Sequence, residues 1–510
     1  MSRTPLVVLG YDVGDAGLIE RFAGEGRMPV AARILDRGVR ARTTGPEYMT
    51  EHGIWVPLAT GLSRTRTGYY YFRQLVPGSY ELRSTTARDF EGTPWWSELA
   101  GDGRRGAVID VPDAPLVKGL DGVQLLDFAT HQPRMTAHGP SAHPSSVVGE
   151  ARRLYGRFEP TWEFEPGASA KVDRAAHAAL LERVERKGRL CRQLVSQGDF
   201  DFVCVAFSEA HPAGHRFWRY RSDPESGLDG ALRDVYVAID RAMGEILEAA
   251  GGEPNVVLLT TMGMATHYPT PDLADGFCHL LGYQVAPRGE SASVGLAGRL
   301  AALVPERLRG TIAARLPQSV QERRLSERFR AGTDWSRTVA FAIPGLHAGF
   351  IRVNLAGREP AGTVDTGAGY RELVAEIEAE LLRLVDPVAG GPAVRRVYRT
   401  ADLSGGAPPE HLPDLVVEWQ RAPYFLERLI HARGEIRQAL PRYCPDSYHS
   451  LEGLFAAAGP SVAPRGDLGA IDVLDAAPTC LGLLGVPAPA VMGGRDVLAA
   501  SRLAPPGASS

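Results

Sequence analysis

Short apolar runs alternate along this chain with longer segments of helical spacing. Leu6-Val7-Val8-Leu9-Gly10-Tyr11 is one such run, of the kind a strand buried on both faces requires, and Asp12 stands at its C-terminal end. Over residues 16–36 the apolar positions Leu18, Ile19, Phe22, Ile34 and Leu35 recur at helical spacing, and Gly38 supplies a stop. The pattern predicts a second helix over 51–59, ending at Thr60-Gly61, and a strand over 106–111. A charged amphipathic helix over 170–197 leads into a strand at Phe202–Phe207. A further helix over 228–250 leads into a buried strand at Asn255–Thr260. Strands this short, joined by helices this long, predict an α/β fold with a mostly parallel central sheet and helices on both faces.

Residues 285–335 break the rhythm. They are rich in Arg, Ala and Leu, are punctuated by Pro305 and Pro317, and read as a helical insertion or cap. The α/β pattern resumes at 414–419 and again at Gly453–Ala458. The expected division is therefore a core in two parts, 1–284 and 336–500, with the cap between them and a disordered tail over 501–510. No internal repeat of solenoid period is present.

Composition changes this picture little. The chain has 510 residues, 44% hydrophobic and 23% charged, which is ordinary for a globular protein. A net charge of -4 over that length argues against a nucleic-acid polymer as partner. The N-terminal apolar run is too short for a signal peptide, and no stretch approaches the roughly 20 apolar residues of a membrane helix. A cytoplasmic protein without membrane contact is the expectation. Cys191, Cys204, Cys278, Cys444 and Cys480 form no CxxC pair and read as buried thiols in a reducing compartment.

Several polar residues fall where open α/β sheets place ligands, at the carboxyl ends of strands. Asp12 is the first; alone, it reads equally well as the N-cap of the next helix. His211 and His215 lie four apart just past the strand Phe202–Phe207, with Pro212 and Gly214 between them. Imidazole is a common ligand for zinc and related ions, and close spacing lowers the cost of assembling a site. His449 precedes the strand at Gly453–Ala458. Thr50, Glu51 and His52 sit at an expected helix start, where a helix N-terminus favours an oxyanion or a bound anionic ester. The plainer reading there is that Thr50 caps the helix and Glu51 offsets its dipole. Arg73, in Tyr69-Tyr70-Tyr71-Phe72-Arg73-Gln74, and His131 are candidates to hold an anionic substrate. For both, ordinary packing or ion pairing is the competing account.

Taken in order, these motifs resemble the type I phosphodiesterases and nucleotide pyrophosphatases of the alkaline phosphatase superfamily. Gly10-Tyr11-Asp12 resembles the first metal-ligand strand, and Gly26-Arg27-Met28-Pro29 followed by Gly38 resembles the Gly-x-x-Pro helix and its turn. Trp55 through Thr60-Gly61 is similar to the Trp-x-x-x-x-Thr-Gly segment after the nucleophile. His211 and His215 take the places of an Asp-x-x-x-His ligand pair. His449 with Glu452-Gly453-Leu454 and Gly459-Pro460 resembles the late histidine element, and Asp472 through Pro487 the closing helix.

The resemblance implies divalent metal ions that clamp phosphoryl oxygens while an aligned hydroxyl attacks phosphorus. It implies Asp12, His211, His215 and His449 as metal ligands, with zinc favoured by the histidines and manganese or iron also fitting. The second metal site departs from the family. Thr260-Thr261-Met262-Gly263-Met264 stands where Ser-Asp-His-Gly-Met is usual, so Asp12 alone remains, with Glu51, Glu209 or His267 to compensate. Aligned without a gap, Glu51 takes the nucleophile position; a shift of one residue puts Thr50 there. Thr50 suits a nucleophile, whereas Glu51 suits a metal ligand or a general base. The implied function is a metal-dependent hydrolase of a phosphodiester or nucleotide-type anionic ester. The alternatives are a sulfuryl, sulfamoyl or phosphoryl transferase in small-molecule metabolism, or a non-catalytic binding protein on the same fold.

Overall fold

Leu6–Tyr11 is buried at every position and forms the centre of a nine-stranded sheet. A computed structural model describes residues 4–86, 89, 92–130, 139–156, 169–287, 318–441, 444–464 and 466–501. Across the sheet the strands run Gly466–Asp472, Val39–Thr44, Gly453–Ala458, Asn255–Thr260, Leu6–Tyr11, Phe202–Phe207, Arg105–Ile109, Asp121–Leu126 and Ser141–His143. The five strands from Asn255–Thr260 to Asp121–Leu126 are mutually parallel. Gly453–Ala458 runs antiparallel to both of its neighbours, and Ser141–His143 closes one edge antiparallel. The sheet is thus mostly parallel and two-faced, as the unbroken apolar runs require.

Alternate side chains of the central strand enter two different cores. Val7, Leu9 and Tyr11 pack with Ile19, Phe22, Leu194, Val235 and Ile239 on one face. Leu6 and Val8 pack with Trp55, Leu58, Trp96 and Leu481 on the other. Tyr11 pairs in register with both Phe207 and Thr260. The loops that begin at Asp12, Ser208 and Thr261 therefore leave the sheet at one edge.

Helix boundaries differ from the sequence expectation in instructive ways. The segment 16–36 is two helices, Ala16–Gly24 and Pro29–Arg37. Pro29 opens the second helix, where its missing N–H costs nothing, and Asp240 accepts from the amides of Val30 and Ala31 at 3.0 and 2.9 Å. The cap of the first helix is Asp15, which accepts from the Leu18 amide at 2.9 Å; Asp12 is left for other work. The helix expected over 51–59 forms only over Trp55–Thr60, ending on Gly61 in the left-handed conformation. Thr50 precedes it in extended backbone and does not cap it.

A second lobe is built from antiparallel sheets. Ala340–Ile343, Gly349–Val353, Leu415–Trp419 and Val394–Arg399 make one of them, so the run at 414–419 belongs here and not to the central sheet. Its strands read like core strands because they too are buried, against the helices Leu273–Leu281 and Ala368–Leu381. Phe341, Ile343, Phe350 and Val416 face Tyr70, Tyr71 and Leu75 of the main lobe. Of the expected cap, the helix Gln318–Ala331 is described, and its Leu325 and Phe329 pack onto this same cluster. The expected disordered tail lies almost wholly outside the described residues. No described helix is long and apolar enough to cross a membrane. All five cysteines are free thiols, and four of them are buried.

Candidate metal centre

Two of the histidines owe their alignment to helical spacing. His211 and His215 lie four apart on the helix Ala210–Phe217, which puts both rings on one face. His449 arrives on the strand Ser447–Ser450, paired antiparallel with Gly263–Thr266 so that it sits opposite Met264. Gly214 lets helix and strand meet, since a Cβ there would lie 2.8 Å from the Met264 side chain. The result is convergence: the Nε2 of His211 is 3.0 Å from that of His215 and 2.9 Å from that of His449.

Each ring is held from behind through its other nitrogen. Nδ1 of His215 faces the Ser447 carbonyl at 2.9 Å, and Nδ1 of His449 faces the Glu51 carbonyl at 3.1 Å. Nδ1 of His211 faces Oδ2 of Asp12 at 3.3 Å. A carbonyl can only accept, so the proton sits on Nδ1 and the Nε2 lone pair points inward. Burial, followed by the neighbouring His211, holds His215 and His449 well below the usual histidine range. Neutral rings aimed at one point repel each other unless a cation accepts their lone pairs. Three nitrogens about 2.0–2.1 Å from a tetrahedral zinc would stand about 3.3 Å apart, a few tenths of an ångström wider than seen here. The donor set therefore fits a divalent ion with an open position. Among the described residues, these three histidines are the group whose donor atoms come together in this way.

Asp12 does not stand among the converging atoms. One oxygen accepts from Trp55 Nε1 at 3.0 Å and the other orients His211, so its place is behind that ring. Gly10 permits this, because a Cβ there would lie 2.4 Å from the Trp55 ring. Among the described residues no second group of donors stands beside the three histidines. Thr261 Oγ1 is occupied by the Val13 amide at 3.0 Å, and Met262 lines the cleft with a thioether. Glu209 is buried beside Arg183, 3.8 Å away, and His267 lies tilted against His347 with ring centres 5.2 Å apart.

Beside the histidines lies a narrow cleft of about 60 Å³, lined by Asp12, Glu51, Trp55, Asp113, His211 and His449 among others. Thr50 does not line it; the hydroxyl is fully buried and donates to the Tyr70 carbonyl at 3.2 Å. Glu51 does line it. The residue is 5% exposed, Oε1 makes no hydrogen bond, and burial pushes the carboxyl up to about 7. Glu51 also borders an inner chamber of about 30 Å³ with His267, His347, Arg421 and Tyr448. Arg73 stacks on Phe72, 5.1 Å from the ring centre, and does not reach the cleft. His131 lies outside the described residues.

Of the cleft wall formed by His52, Tyr69, Phe72 and Asp113, sequence reasoning missed Asp113, which follows a strand with no motif of its own. His347 and Arg421 come from the second lobe, and no local spacing connects them to His449.

The fold and this centre together define an α/β protein with a three-histidine site at the carboxyl edge of its sheet. Phosphonoacetate hydrolase from Sinorhizobium meliloti 1021, solved with phosphonoformate, superposes with a TM-score of 0.51 at 15% identity, covering 94% of this chain and 96% of that one. Murine ectonucleotide pyrophosphatase/phosphodiesterase 5, as an inactive variant with AMP, gives 0.46 at 12% identity, and the human protein 0.47 at 11%, each covering 96% of both chains. No family model and no curated protein matches the sequence. At these identities the likeness is one of fold, and the chain has the alkaline phosphatase-like fold.

Proposed function

We propose that this protein is a metal-dependent hydrolase of small anionic phosphorus esters, working from one three-histidine centre. The observation that carries the reading is the convergence of three Nε2 atoms at 2.9 and 3.0 Å, each ring anchored through Nδ1. The fold neighbour named as a phosphonoacetate hydrolase, solved with phosphonoformate, supports it. His211, His215 and His449 would hold the ion, and Asp12 would fix the ring of His211 in the ligating tautomer. When bound, a divalent ion such as zinc, manganese or iron supplies Lewis acidity toward a phosphoryl oxygen.

The chain's own residues do the rest. Glu51 Oε1, lining the cleft without a partner, takes the proton of the water whose oxygen attacks phosphorus and passes it to the ester oxygen released as the P–O bond breaks; Thr50 is held away from the reaction by the Tyr70 carbonyl. Trp55, Ile54 and Met262 close the floor of the cleft and limit the water around the reacting atoms.

Metal analysis of untagged protein and turnover of a bis-aryl phosphate after zinc or manganese addition test the reading. Bound metal with metal-dependent turnover is expected. Protein that neither binds metal nor cleaves the ester contradicts it.

A further inference from the structure

The helix that carries His211 and His215 is poorly equipped to hold itself in place. Ala210–Phe217 has eight residues, no side chain caps its first turn, and Gly214 lies inside it. An isolated helix of this length is not stable in water. Its placement, and so the aim of two of the three converging Nε2 atoms, must come from its neighbours. One hold comes from the strand Ser447–Ser450, where Ser447 Oγ donates to the carbonyls of Gly214 and His215 at 3.3 Å each.

A second hold comes from the long helix Ala170–Val195. Asp173, in its first turn and fully buried, accepts from Arg216 Nε at 2.6 Å, from the Arg219 guanidinium at 2.8 Å and from the Tyr220 hydroxyl at 2.5 Å. Arg216 is the residue after His215, and Arg219 and Tyr220 lie in the short turn Trp218–Ser222 that continues the metal helix. Farther along the same long helix, Arg183 faces Glu209 at 3.8 Å, and Glu209 stands at the other end of the metal helix. A carboxylate taken out of water requires charged partners, and a guanidinium fixes both its distance and its direction. The long helix therefore grips the metal helix at both ends. It is itself locked into the core through Leu180, Val184, Cys191 and Leu194.

We infer that Asp173 is a positioning residue for the metal centre, acting through Arg216 on the helix that aims His211 and His215. The consequence at the metal rests on the three-histidine reading; the hold on the helix does not. Removing the Asp173 charge leaves Arg216 buried without its counter-ion, and the helix end beside His215 must move to bring that guanidinium toward water. His449 is carried by a separate strand and anchored through the Glu51 carbonyl, so it stays in place.

Asp173→Asn keeps the size of the side chain and removes its charge, and two measurements on it test the inference. In the metal-free protein, amide hydrogen exchange over residues 208–222 rises about tenfold or more, while the strand Ser447–Ser450 and the second lobe keep their rates. In titration with cobalt(II), followed through its visible absorption, affinity falls about 10–100-fold and the bands change shape as the ligand set is disturbed. Arg216→Gln reproduces both effects, and the double variant adds little to either, because the two residues act as one unit. Glu359→Gln is the control. It breaks a buried pair of the same kind in the second lobe, with Arg352 at 2.6 Å, and it lowers stability without moving either readout. If Asp173→Asn does not fold, Arg219→Gln removes one of the three donors from a partly exposed position and gives a smaller shift of about threefold in the same two readouts.

A folded Asp173→Asn protein that exchanges over 208–222 no faster than Glu359→Gln, or that binds cobalt with natural affinity and spectrum, overturns the inference. The two readings fail separately. If the natural protein binds no cobalt but exchange over 208–222 still rises selectively, the three-histidine reading fails and the hold on the helix stands. If the natural protein binds cobalt and the variants change nothing, the metal centre stands and the role of Asp173 falls.

Discussion

Asp12 shows how much one residue's role depends on what surrounds it. Its position at the end of a central strand was legible from the apolar run before it, and so was its nearness to the histidines. Its job was not, because that depends on Trp55 and His211 occupying its two oxygens from distant parts of the chain. An orienting carboxylate tunes a metal site without being required for it. Asp12→Asn is therefore expected to weaken metal affinity by about 10–100-fold while leaving the fold intact, as competition with a chelator would measure. The choice between Thr50 and Glu51 was likewise beyond sequence. Thr50 has the better chemistry for attack, but the backbone turn at 46–49 sends its hydroxyl to the Tyr70 carbonyl and leaves Glu51 facing the cleft.

At the level of elements, the short apolar strands were read almost to the residue. Leu6–Tyr11, Phe202–Phe207, Asn255–Thr260 and Gly453–Ala458 form where the pattern placed them, because burial on both faces leaves little choice of residue. Helix starts were less legible. The break at residues 25–28 and the late start at Trp55 depend on tertiary partners, Asp240 in the first case and the strand surface at Gly10 in the second. That surface gives a sharp prediction. Gly10→Ala puts a methyl 2.4 Å from the Trp55 ring and displaces the indole that holds Asp12. A loss of about 1–3 kcal/mol in chemical denaturation is expected, with weakened metal binding alongside it. Wild-type values for both would show that the strand and the helix are not coupled through this contact.

The whole molecule joins two lobes, and only one of them was foreseen as such. The antiparallel strands of the second lobe look locally like core strands, and their pairing is a matter of long-range register that no window of sequence contains. The lobe's contribution to the site, His347 and Arg421 beside His267, was invisible for the same reason. This junction also makes the molecule sensitive to acid. Burial, followed by Arg421, lowers His267 from 6.5 to about 4. The unfolded chain thus takes up a proton between those values that the folded chain refuses. Stability present above pH 6.5 is lost as the pH falls toward 4, by up to about 3 kcal/mol from this residue. His267→Gln should flatten that part of the stability profile, and an unchanged acid limb would contradict the assignment.

The central claim is that three histidines from two distant segments hold one divalent ion. Metal content of the untagged protein, set beside that of His449→Ala, tests it most directly. The account predicts an ion in the natural chain that is lost from the variant together with ester turnover, while thermal melting shows the variant still folded. A folded His449→Ala protein that keeps its metal and its activity would contradict it.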